Sequence, residues 1–236
     1  MNQEDQVHNI GNKIANSINI PGISIEFEDN YVCSFVMSSR YLMKKNDEEV
    51  AQVVIFVNRE GDKVSASFDR DVFPGYQNKG IGGLLFFIVL KHACMLAQNG
   101  PVEVRSFSIN SLSSYAHMKN CSNHPDLVTV RNLVNKFDER IDPGVVHTLD
   151  FSSFEEYKTS FDSPNFLHIT MDVQCDSPKL EELMKAQVSK VVAAIGDDAP
   201  PPAKRAKKDG GAVSGRHLTP ALALLVVSAV AALVPR

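Results

Sequence analysis

One stretch limits the fold more than any other: DVFPGYQNKGIGGLLFFIVLKHA, residues Asp71–Ala93. From Leu84 onward it is apolar on nearly every helical face, so the helix it predicts must be heavily buried. Ahead of that helix come a Pro-Gly turn, then Gln77, Asn78 and Lys79, then Gly80, Gly82 and Gly83. Ahead of the turn, KVSASFDRDV alternates. Val64, Ala66, Phe68 and Val72 share one face of a strand, and Ser65, Ser67, Asp69 and Asp71 share the other.

The remaining elements arrange themselves around this strand, loop and helix. QVHNIGNKIANSI predicts a weakly amphipathic helix within residues 1–22, stopped by Pro21-Gly22. GISIEFED, YVCSFVMSS and VAQVVIFV read as successive strands, and NREGD as a hairpin turn into the alternating one. Strands in such a row predict an antiparallel meander. After the buried helix, PVEVRSFSI returns as a strand and NSLSSYAHMKN as a short helix capped by Asn110 or Ser111. LVTVRNLVNKFDER is read as helical, FLHITMDV as a strand, and SPKLEELMKAQVSKVVAAIG as a helix opened by Pro178 and closed by Gly196. The fold class expected is α+β, with a mostly antiparallel sheet flanked by helices over residues 23–175 and a C-terminal helix over 176–196.

With 236 residues the chain can bury one sizeable core, and a net charge of -4 gives no general pull toward nucleic acid or anionic lipid. Cys33, Cys94, Cys121 and Cys175 form no CxxC pair, and the opening MNQEDQVHNIGNK is polar, so free, buried thiols in a reducing compartment are expected. Cys121 and His124 alone are too few ligands for zinc, and no metal is expected.

A helix N-terminus presents unpaired amides and the positive end of the helix dipole, and so attracts phosphate. Gly80, Gly82 and Gly83 let the backbone approach an anion with no Cβ in the way, and Gln77, Asn78 and Lys79 add donors and charge. Leu85 stands where a GxGxxG dinucleotide loop needs its third glycine, and no GK[ST] follows. VFPGYQNKGIGGLL resembles instead motif A of the GNAT N-acetyltransferases, V-x-P-x-Y-[QR]-x-x-G-[IVL]-G. Val72, Pro74, Tyr76, Gln77, Gly80, Ile81 and Gly82 match it, with Leu84 and Leu85 following. The resemblance implies a GNAT-like mixed sheet across residues from about 20 to 175. It also implies acetyl-coenzyme A (acetyl-CoA) as cofactor, its pyrophosphate on the Gln77–Gly83 turn and its pantetheine arm along the strand ending at Val72. Asn78, Lys79 and Ile81 fall within that turn, and Asn110 matches the family's cofactor-touching asparagine.

Acetyl transfer needs a neutral amine, a polarised thioester carbonyl and a proton for the leaving thiolate. In the family a carboxylate on the motif A strand often serves the amine through water, which singles out Asp69 and Asp71. The family's acid is usually a tyrosine seven residues after the asparagine. Counted from Asn110, that place holds His117, with Tyr115 two residues earlier. A histidine with its ordinary pKa of about 6.5 can protonate a thiolate. The chain departs from the family twice. Cys121-Ser122 replaces the usual closing Gly-Phe, and the two helices that shape the acceptor site between the first two strands have no counterpart.

Composition changes at residues 197–217, DDAPPPAKRAKKDGGAVSG and its flanks, which read as a disordered linker. Lys204, Arg205, Lys207 and Lys208 resemble a nuclear localisation signal that an import factor would read, or a juxtamembrane basic patch. The apolar tail 218–236 carries no charge from Leu218 to Val234, which makes a cytosol-facing tail anchor the favoured reading over a nuclear or cytoplasmic protein. Four charges without interleaved aromatics make a poor specific nucleic-acid reader. Two functions remain: an N-acetyltransferase acting on an amine, and a catalytically weak GNAT-fold scaffold that binds a partner.

Overall fold

Four long strands with alternating character come early in the chain, and each pairs with the next. The computed structural model describes residues 3–33, 36–98, 100–108, 111–135, 137, 139–161, 167–175 and 178–195. After helix α1 (Gln3–Ser17), strands β1 (Ser24–Cys33), β2 (Val36–Lys45), β3 (Glu48–Glu60) and β4 (Lys63–Val72) form an antiparallel meander. Helix α2 (Ile81–Ala97) then crosses over and lays β5 (Val102–Ser108) parallel to β4. Helix α3 (Ser111–Asn123), β6 (Val128–Asn135), β7 (Arg140–Ile141), a 3₁₀ turn (Pro143–His147), α4 (Phe154–Ser160), β8 (Leu167–Val173) and α5 (Pro178–Ile195) follow. The eight strands stand in the order β1-β2-β3-β4-β5-β8-β6-β7, antiparallel at every join except β4–β5. This is an α+β fold, a mixed and mostly antiparallel sheet flanked by helices.

Helix α2 is the centre of the core. Leu84, Leu85, Phe86, Ile88, Val89 and Leu90 are all fully buried. Phe86 meets Phe68 of β4, with ring centroids 6.2 Å apart. Each such side chain removed from water contributes about 2 kcal/mol, so a charge on this helix face would be strongly destabilising. Helix α1 joins the same side of the sheet through Gly11, where a Cβ would stand 2.2 Å from the Phe27 ring. Helix α3 joins it through His117, bonded to Ser106 of β5 at 2.8 Å. Helix α5 buries Leu180, Met184, Val191 and Ile195, an i, i+4, i+11, i+15 stripe, with Lys91 of α2 paired to its Glu181 at 2.8 Å.

The structure corrects three expectations. IEFED and YVC belong to one strand, β1, and the break comes only after Cys33. LVTVRNLVN is a strand, β6, and not a helix; a register shift between Val130 and Asn132 breaks the alternation that would have marked it. Cys94 and Cys175 are joined as a disulfide across 81 residues, so the expectation of uniformly free thiols is overturned. Cys121 is free and buried. No helix among the described residues is long and apolar enough to cross a membrane. The linker, its basic cluster and the apolar tail lie outside the described residues.

Candidate functional site

The site begins where two parallel strands part. β4 and β5 pair from Val64↔Val102 to Phe68↔Ser106. Beyond that point β4 keeps its partner β3 as far as Val72, and β5 keeps β8 as far as Ser108. The backbone edge of Asp69–Val72 that faces β5 therefore has no strand partner among the described residues. On the helix side this fork holds Phe68, Arg70, Ser106 and His117: His117 lies 5.4 Å from the Phe68 ring, and the Arg70 guanidinium 6.0 Å from the same ring.

Past the fork the chain turns into the glycine loop. Tyr76 is buried and its amide bonds to Phe73 O at 3.1 Å, which folds the Pro-Gly turn back on the strand. Gln77 donates to Val72 O at 3.1 Å. Lys79 lies over the Tyr76 ring at 5.6 Å. Asn78 and Gly80 both take left-handed backbone, φ 62° and 81°. Gly80 caps α2 without any side-chain bond. The first helical bonds run from the amides of Gly83 and Leu84 to Gly80 O, 3.1 Å each, which leaves the Ile81 and Gly82 amides without acceptors inside the helix.

The glycines have different reasons. Helix α5 lays Gln187 into the loop, where its Nε2 donates to Gly80 O at 2.6 Å. A Cβ on Gly80 would stand 2.8 Å from that nitrogen, and one on Gly83 2.9 Å from it. Gly80 is thus required by its φ, whereas a Cβ at Gly83 would make the amide end of Gln187 move and give up its bond to Gly80 O. Gly82 is under neither constraint: a Cβ there would meet only Val72 Cγ2, at an ordinary 3.9 Å.

His117 is 5% exposed, and burial first, then the Arg70 charge, hold its pKa well below the usual imidazole value, so it is neutral at pH 7. Arg70 donates to Gly82 O. Burial brings its pKa down to about 10, and it remains a cation. Cys121 donates to Met171 Sδ at 3.3 Å, and burial pushes its thiol up to about 12, so it is no nucleophile. Tyr115 is elsewhere. Its hydroxyl donates to Phe151 O at 3.2 Å and accepts from Lys119 at 2.8 Å, and its ring packs on Tyr157 at 5.4 Å. Two residues apart on one helix, Tyr115 and His117 point to different sides.

Asp69 and Asp71 sit on the sheet face that α1, α2 and α3 leave open. Gln52 donates to Asp71 at 3.3 Å, and Arg40 donates to Gln52 at 2.9 Å while pairing with Glu28 and Glu49. Desolvation, and then the Asp71 charge, raise the Asp69 pKa above the ordinary carboxylate range. Asn110 lies outside the described residues. Arg70, Ser106, Gln187 and Lys190 escaped the sequence reading. For Arg70 a signal existed, since it is the one charge among Val64, Ala66, Phe68 and Val72 on the core face of β4. Gln187 and Lys190 look like any residues of an amphipathic helix.

No protein-family model matches the chain, and no curated protein matches it. Among solved structures, a nourseothricin acetyltransferase is similar at 13% identity and a TM-score of 0.32, over 70% of this chain and 92% of its own. A protein described as a "putative acetyltransferase" is similar at 10% identity and a TM-score of 0.37, over 64% of this chain and 66% of its own. Neither likeness brings a substrate or a mechanism to this chain.

Proposed function

We propose that the chain is a GNAT-type N-acetyltransferase that moves the acetyl group of acetyl-CoA to an amine by direct attack. The observation that carries this reading is Gly82. Glycine in a helix is less stable than alanine by about 1 kcal/mol, and here no φ and no neighbour in the described chain asks for it. A ligand that must approach the backbone closely would ask for it. The residues around it fit a pyrophosphate: the Ile81 and Gly82 amides lack helical acceptors, Lys79 stands within the loop, and the stem of Lys190 runs beside Gly80, with Cδ 3.5 Å from where a Cβ would be. The unpaired edge of Asp69–Val72 fits the amide-bearing pantetheine arm.

The bound coenzyme would supply the activated thioester. The protein's own groups divide around the fork. On the open face Asp69, with its raised pKa, accepts the proton of an incoming ammonium through water. On the helix side His117 is neutral, so it is a hydrogen-bond donor rather than a strong acid. Ser106 Oγ bonds to Nδ1 at 2.8 Å, and in the tautomer in which the hydroxyl donates, the proton stands on Nε2. Together with the Arg70 cation it stabilises negative charge developing on the carbonyl oxygen or the leaving sulfur. Tyr115, bonded into the α4 cluster, takes no part in this reading.

One observation favours the scaffold reading. Gln187 and Gln77 already occupy Gly80 O and Val72 O, so the chain fills part of the site with its own side chains. Thiol release from acetyl-CoA, followed with a chromogenic disulfide across a panel of primary amines, separates the two. Amine-dependent release that falls in Asp69→Asn and His117→Ala sustains the enzyme. Release that no amine stimulates, from a folded protein, sinks it.

A further inference from the structure

Resting on that reading, we infer that the acceptor is an extended polypeptide segment, laid along β4 on the open face of the sheet with its amine at Asp69 and Asp71. The face itself is the first argument. Helices α1, α2 and α3 meet the sheet through Phe27, Phe68 and Ser106, and the alternate residues point the other way. Along β4 these are Ser65, Ser67, Asp69 and Asp71. Their neighbours are Asn58, Phe56, Val54 and Gln52 on β3, and Glu103 and Arg105 on β5.

Small serines between larger flanking side chains make a trough. Its walls are two strand spacings apart, about 10 Å, which is the width of one extended chain. From Ser65 to Asp69 it runs about 13 Å at the usual rise per residue. It ends at the fork, beside the unpaired edge of β4. Phe107, 41% exposed and set edge-on to His168 at 4.5 Å, stands on the other prong, one alternation beyond Arg105.

Charge supplies the second argument. Among the described residues neither Asp69 nor Asp71 forms an ion pair; the bonded partner of Asp71 is the neutral amide of Gln52. Two exposed carboxylates in no ion pair, with the Arg70 charge acting on Asp69 less than the Asp71 charge does, attract a protonated amine at the mouth of the fork. Openness supplies the third. Small-molecule sites enclose roughly 70–90% of their ligand. Asp69 and Asp71 stand exposed at the mouth of the trough, while Lys63, Arg105 and Arg131, gathered on the buried Glu103, close its far end. A small amine at the mouth would stay largely in water, whereas a peptide gains contacts along its length.

The test uses the full chain and a pool of decapeptides with free α-amines, randomised beyond the first position, some carrying a diazirine. Ser67→Tyr fills the trough without touching the fork or the glycine loop. Expected is acetylation of peptide amines by the wild type and a loss of about tenfold or more in Ser67→Tyr, the scale on which misplaced substrates lose rate. Acetyl-CoA affinity, measured by calorimetry, should not change. Acetylation of small amines but of no peptide, or a Ser67→Tyr variant as active on peptides as the wild type, overturns the inference. If acetyl-CoA does not bind at all, the enzymatic reading has failed, and photo-crosslinking decides the trough alone. Adducts on β3, β4 and β5 that vanish in Ser67→Tyr sustain a peptide site, and adducts elsewhere or none reject it.

Discussion

Replacing Gly82 with alanine should make the protein more stable and worse at binding. The added Cβ meets nothing nearer than Val72 Cγ2 at 3.9 Å, and Gly82 is not among the residues with left-handed backbone. The substitution therefore collects the helix-propensity difference, about 0.5–1 kcal/mol in a first turn. For a domain of this size that raises the melting temperature by ~1–4 °C. The same methyl group stands beside the two free amides of the loop. If it keeps a phosphate from one of them, a charge-assisted bond of roughly 1.5–3 kcal/mol is lost, and affinity for acetyl-CoA falls about tenfold to a hundredfold. Gly83→Ala is the control, because its Cβ would stand 2.9 Å from Gln187 Nε2 and 3.2 Å from Cδ. It should lose about 1 kcal/mol to overpacking. Thermal melts and calorimetric titrations of both variants decide the matter. A less stable Gly82→Ala, or one that binds as the wild type does, refutes the argument that a ligand explains this glycine.

Gln187→Ala removes the group that Gly83 avoids, so Gly83→Ala should become neutral or stabilising in that background, a coupling of about 1 kcal/mol read from a double-mutant cycle by urea denaturation. Cys94→Ser opens a loop closed across 81 residues and, by loop entropy, should lower stability by up to about 4.5 kcal/mol, with a dithiol reductant producing the same loss in the wild type and none in the variant. His92 bonds to Tyr41 at 2.7 Å, its Nε2 has no hydrogen-bond partner among the described residues, and burial lowers its pKa to about 4 from 6.5. A lowered histidine means the unfolded chain binds the extra protons, so stability is full above about pH 6.5 and declines toward pH 4, by roughly 3 kcal/mol for this residue. His117 acts in the same direction. His92→Gln, which keeps an acceptor for Tyr41, should flatten the decline in melts taken between pH 7 and 4.

Much of the fold is visible in the sequence because period and burial agree there. The alternation of Lys63–Val72 gives β4 and its two faces, and the unbroken apolar run after Gly83 gives a central helix. The loop between them is legible through its glycines, though not their separate reasons, since only the position of Gln187 tells Gly83 from Gly82. Where local pattern and tertiary pairing disagree the sequence misleads: a register shift hid β6, and the boundary read between GISIEFED and YVCSFVMSS fell inside β1. Contacts between distant residues leave no local trace. Cys94 and Cys175 carry no spacing signal, and nothing in α5 announces that it lies on the glycine loop. Tyr115 and His117 were equally plausible by type, and only helix geometry sends one to the fork and the other to α4.

The central claim is that the loop from Gln77 to Gly83 and the edge of β4 hold acetyl-CoA. Calorimetric titration of the full chain with acetyl-CoA tests it most directly. Saturable binding at one site per chain, in the micromolar range typical of cosubstrates, and weakened in Gly82→Ala while the melting temperature rises, is the predicted result. A folded chain that takes up no acetyl-CoA would contradict the account, and would leave the glycine loop as the buttress of α2 alone.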